Sequence, residues 1–141
     1  MNPNSSFTPA ERLESLKAGL TASFGIGLTF AILSGIHLLW GEPLSIFVLA
    51  IKAAIALFSG FLFGVTYRYV IRSDQNLQLS LGAVFAFGLI RGLAEVENQL
   101  LNQPQWLNII RVIAENIILF VGAAIVLNFA FKKGWIQPMG D

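Results

Sequence analysis

The chain has 141 residues, 55% hydrophobic and 12% charged, with a formal net charge of +1. Soluble domains carry about 25% charged residues, and so few charges cannot cover a soluble globule of this size. A soluble domain, a disordered chain and a nucleic-acid binder are therefore excluded. The absence of Cys removes disulfides, thiolate metal sites and Cys nucleophiles.

The first element begins with a start signal. Thr8-Pro9-Ala10-Glu11 fits a capping box, with Thr8 as N-cap, Pro9 at the first helical position and Glu11 at the third. Leu13, Leu16 and Leu20 follow at helical spacing. Residues 9–17 either form a short helix on the membrane surface or extend the span that follows. Residues 1–17 are expected to be an amino-terminal segment on the cytoplasmic side.

Four apolar runs come next, at 18–40, 44–67, 77–96 and 107–131, making a transmembrane domain over 18–131. Each reaches the roughly 20 residues that a helix needs to cross about 30 Å of hydrocarbon. They are continuous rather than alternating, which predicts helices and not strands. The expected fold is all-α, a four-helix membrane bundle. The first run is too long for a signal peptide, and the segment before it is not a basic n-region. Residues 132–141 are left as a tail.

Basic residues set the orientation. Arg12 and Lys17, Arg68 and Arg72, and Lys132 and Lys133 fall in segments that share one side, while 41–43 and 97–106 contain no Lys or Arg. The positive-inside rule then places both termini in the cytoplasm or its organellar equivalent. Trp40 and Trp106 mark the far boundary, and Tyr67, Tyr69 and Trp135 the near one.

The two halves share a pattern. Ser23, Gly25, Phe30 and Gly35 match Ser80, Gly82, Phe87 and Gly92 at one offset, and Ile55, Leu57, Phe58 and Gly60 match Ile117, Leu119, Phe120 and Gly122 at another. The pattern fits either a duplicated helical hairpin or chance within a small apolar alphabet. Small residues also recur every fourth position: Ser23, Gly27, Ala31 and Gly35 in the first span, Ala56, Gly60 and Gly64 in the second, Gly88 and Gly92 in the third. In lipid such stripes let helix backbones approach. They serve either internal packing or contact with a partner, which is another membrane protein or a second copy.

Five ionisable residues lie within the spans. At 1.5 Å per residue, Lys52 and Glu115 stand about 12 Å below the far boundary, Arg91 about 9 Å, Arg111 about 6 Å and Glu95 about 3 Å. Arg91 with Glu95 and Arg111 with Glu115 are spaced i, i+4, each pair on one helix face. A charge at such depth costs about 2.5 kcal/mol or more and marks a functional candidate. The alternative is a closed ion-pair network, with long side chains reaching the interface. Depth makes Lys52 and Glu115 the expected cross-helix pair. His37, the single His, is expected as an interfacial polar residue and only weakly as a metal or pigment ligand. Asn116 and Asn128 are expected to hydrogen-bond between helices.

No H-E-x-x-H, G-x-S-x-G, P-loop or clustered metal-ligand pattern occurs. The expectation is a non-enzymatic protein with no catalytic residue, metal or cofactor, leaving bound lipid or pigment open. The stretch Gly64-Val-Thr-Tyr-Arg-Tyr-Val-Ile-Arg72-Ser-Asp74-Gln-Asn76, continuing through Gly82-Ala-Val-Phe-Ala-Phe-Gly-Leu-Ile-Arg91-Gly92-Leu, resembles a family of small four-span integral membrane proteins of cyanobacteria and chloroplasts. That resemblance implies a thylakoid or plasma membrane and a link to photosynthetic complexes. Surplus small-residue faces favour a protein that docks on other membrane proteins as an accessory subunit or assembly factor. The alternative is a small oligomeric transporter or channel using the charge cluster.

The orientation is testable. Single Cys residues at positions 5, 74 and 138 are expected to be protected together from a membrane-impermeant thiol reagent added to intact cells. Labelling of any one of them would reverse the assignment.

Overall fold

The computed structural model describes residues 8–43, 45–71 and 76–139. Leu44 and Arg72 lie outside the described residues. Four helices occur: α1 (Pro9–Leu39), α2 (Ile46–Ile71), α3 (Leu77–Asn102) and α4 (Trp106–Lys132). All four are long and apolar enough to cross a membrane.

The capping box at Thr8 forms. Glu11 N–H donates to Thr8 Oγ1 at 3.3 Å, and Thr8 N–H donates to Glu11 Oε2 at 3.2 Å. No break follows, so residues 9–17 are the first turns of α1 and not a separate surface helix. The other spans also run past their apolar runs. α3 continues to Asn102 rather than stopping near residue 96, because its last turns, though polar, carry neither Pro nor Gly to end them. Asn76 caps the start of α3 through Gln78 N–H, at 2.9 Å.

α1 lies between α2 and α4, and α3 packs on α4. α2 meets α3 and α4 only sparsely, which leaves a loose seam there. The end that gathers Ser15, Arg68 and Gln137 is the termini end. The opposite end, with His37, Glu42 and Arg111, is the distal end.

Helix association in lipid depends on close van der Waals packing, since lipid is as apolar as the side chains. The glycines show where this occurs. A Cβ at Gly64 would stand 2.7 Å from the Ala22 methyl and closer still to the Ala18 carbonyl oxygen, and one at Gly60 would stand 3.1 Å from the Ser23 backbone. Gly88 and Gly92 lie against the backbone of α4 at Ile117 and Ile113, at 2.9 and 3.0 Å on the same measure. Ser23 donates to Leu57 O at 2.8 Å, and Gly27 faces the Leu57 side chain.

The stripe expected on α1 is only partly used. Ala31 and Gly35 are exposed, and nothing lies within 4 Å of a Cβ at Gly35. The buried face of α1 is instead Ser15, Ala18, Gly19, Ala22, Gly25 and Ile26. The matched positions of the two hairpins also differ in role. Ala31 and Gly35 are exposed where Gly88 and Gly92 are buried, and Gly60 packs on α1 at Ser23 while Gly122 packs on α1 at Thr29.

Burial is lopsided. α2 buries Ala56, Gly60, Phe63, Gly64, Tyr67, Arg68 and Ile71, and nothing before Ala56. Arg68, counted above as a loop residue, is an α2 residue only 2% exposed. Its Nε–H donates to Gln137 O at 2.9 Å and its Nη1 donates to Ser15 Oγ at 2.8 Å. The tail returns to the bundle: Gly134 takes φ +73, Trp135 N–H donates to Ala130 O at 3.0 Å, and Ile136 is buried. Gln137 N–H then donates to Glu14 Oε2 at 2.8 Å.

The glycine contacts predict unequal costs. Gly64→Ala should destabilise the bundle on the order of 1–3 kcal/mol by overpacking, whereas Gly35→Ala should lose nothing. Thermal unfolding in mild detergent reads the difference, and equal midpoints would refute the assigned interface.

Candidate functional site

The ionisable residues expected from the sequence do gather, with different pairings. Lys52 Nζ lies 3.3 Å from Glu95 Oε1, not beside Glu115. Glu115 Oε1 lies 2.8 Å from His37 Nε2 and 3.9 Å from Arg111 Nε. The physical reason is the true length of α3. With its end at Asn102, Glu95 stands about 10 Å inside it at 1.5 Å per residue, close to the depth of Lys52 in α2.

One residue joins that the spans alone did not supply. Gly41 takes φ +76 and turns the chain at the end of α1, so that Glu42 N–H donates to His37 O at 3.2 Å. This fold-back sets Glu42 beside the cluster. Its Oε1 accepts from Arg111 Nη1 at 2.9 Å, and its Oε2 stands 3.6 Å from His37 Nδ1. Trp40 stacks on the imidazole at 6.4 Å.

Asn116 is buried and ties the remaining charges. Its Nδ2 donates to Glu95 Oε2 and to Val112 O, both at 2.9 Å, while its Oδ1 accepts from Arg91 Nη1. Arg91 Nε is buried and has no hydrogen-bond partner among the described residues.

His37, Glu42, Lys52, Arg91, Glu95 and Glu115, with Asn116, line one cavity of about 180 Å³ at the distal end, between the ends of α1 and α2 and the middle of α3 and α4. Phe30, Leu33 and Ser34 complete the α1 wall, and Ser45, Val48 and Leu49 the α2 wall. Below it the bundle is shut by aromatic rings. Phe63 packs on Phe87 and Phe120 at centroid distances of 5.3 and 5.1 Å. Beyond that layer, Tyr67 Oη lies 2.5 Å from Ser80 Oγ and donates to Asn128 Oδ1 at 2.8 Å. A second cavity of about 240 Å³, lined by Tyr67, Ser80, Asn128 and Lys132, opens there toward the termini end. Both cavities follow the loose side of α2.

Among the described residues, no group of three or more His, Cys, Asp or Glu could hold a metal ion. His37 is engaged with carboxylates. Its role was missed because the four-residue stripe was taken as the packing face of α1. No family model, no curated protein and no solved structure matches the chain.

The pairing makes a cycle of variants informative. Glu95→Gln keeps an acceptor for Asn116 but leaves Lys52 without its carboxylate. It should lower stability by about 2–3 kcal/mol, the scale of an uncompensated cation in a membrane. Adding Lys52→Met should restore part of that loss. Additive losses in a double-mutant cycle would show that the pair does not interact.

Proposed function

We propose that the protein is a small membrane carrier, non-enzymatic, that admits a polar solute to the distal cavity and passes it along the loose side of α2. The observation that carries this reading is the pair of polar cavities at opposite ends, separated by the Phe63, Phe87 and Phe120 layer. A site alternately open to two sides needs a barrier thin enough to move and a helix free to move it. α2 supplies both, since it contributes Phe63 and meets α3 and α4 only sparsely. Ionisable side chains inside a membrane are costly, face cavities and mark solute or proton paths. By the positive-inside rule the distal end faces away from the cytoplasm or stroma. The resemblance noted above favours a thylakoid or plasma membrane.

Docking on another membrane protein, as an accessory subunit or assembly factor, is the second reading. Gly60, Gly64, Gly88 and Gly92 are spent inside the bundle. What favours docking is the exposed strip at Ala31 and Gly35, which leaves room for a helix of a partner or a second copy.

The readings part on two variants. For a carrier, Lys52→Met with Glu95→Gln should assemble and lose solute flux in proteoliposomes, while Gly35→Leu should retain it. For a docking protein, Gly35→Leu should stay folded and lose its co-purifying partner. Absence of any flux by the wild-type protein, with a partner lost in Gly35→Leu, would reject the carrier.

A further inference from the structure

We infer that the distal cavity binds a small oxyanion, a carboxylate or a phosphate group, on Arg91. This names the solute class of the proposed carrier and rests on that reading for its place in transport, though binding stands on its own geometry.

Every other cation in the cavity has a carboxylate. Lys52 holds Glu95, and Arg111 at the rim holds Glu42 and approaches Glu115. Arg91 has no carboxylate within ion-pair distance among the described residues. Its Nη1 meets only the Asn116 amide oxygen, and its buried Nε–H meets nothing. A guanidinium that lines a cavity and has no carboxylate on it matches the planar fork of an oxyanion. Lys52 and the hydroxyls of Ser34 and Ser45 line the same space and add donors. Its volume of about 180 Å³ far exceeds the 10–15 Å³ or so that a single water needs. An acetate-sized group therefore fits with water around it.

The test uses the full chain in nanodiscs of phosphatidylcholine, titrated with acetate and, separately, inorganic phosphate by calorimetry. Acetate should bind the wild-type protein. Arg91→Gln should weaken it at least about tenfold, the scale of one charge-assisted hydrogen bond. If that variant fails to fold, Arg91→Lys, which keeps the charge and loses the fork, should still weaken binding several-fold. Nanodiscs containing phosphatidylglycerol separate the sources. Competition with acetate there identifies a lipid headgroup as an occupant of the same site, and its absence identifies a free solute. No binding of acetate, phosphate or phosphatidylglycerol, or binding unchanged in the Arg91 variants, overturns the anion site. Flux of a neutral or cationic solute that persists in Arg91→Gln would overturn the anion while leaving the carrier standing.

Discussion

The close passage of α1 over α2, where Gly64 lies beneath the Ala18 carbonyl and the Ala22 methyl, is the contact on which the rest of the bundle depends. The contact continues along α1, where Phe61 lies against Gly19, Gly60 against Ser23 and Leu57 against Gly27. Toward the termini end Phe63, Tyr67, Phe120 and Phe131 fill the core. Toward the distal end α2 buries nothing before Ala56. The cavity there is where the ionisable side chains meet.

The fold was legible in the sequence because bilayer thickness and backbone hydrogen bonding leave few solutions for four long apolar runs. The cap at Thr8 could be read residue by residue, since it is local chemistry. The helix ends could not. Val96 to Asn102 is polar yet helical, because hydropathy marks where lipid stops, not where the helix does. That error of about two turns moved Glu95 to the wrong depth and joined Lys52 to the wrong carboxylate.

The site was legible as a set of charges and illegible as a set of contacts. A stripe with a strict period of four drifts around a helix by about 40° per step, since each residue turns about 100°. Ser23, Gly27, Ala31 and Gly35 therefore leave the interface after two members. The face that stays inward combines steps of three with steps of four, through Ser15, Ala18, Ala22, Ile26, Phe30 and Leu33, and its next position is His37. Following that face would have brought the imidazole to the cavity. Glu42 was beyond reach by this route, because its place depends on the left-handed turn at Gly41.

The buried Arg68 bears on how the protein is made. A guanidinium at 2% exposure needs acceptors, and one of them, the Gln137 carbonyl, belongs to a segment synthesised after α4. Until that segment has left the ribosome, the first hairpin carries a cation only partly satisfied by Ser15 and the Glu11 carbonyl. The arrival of Gln137 relieves it and, through Glu14, fastens the end of α4 to the start of α1. A nascent chain stalled before this point keeps its termini end unlatched.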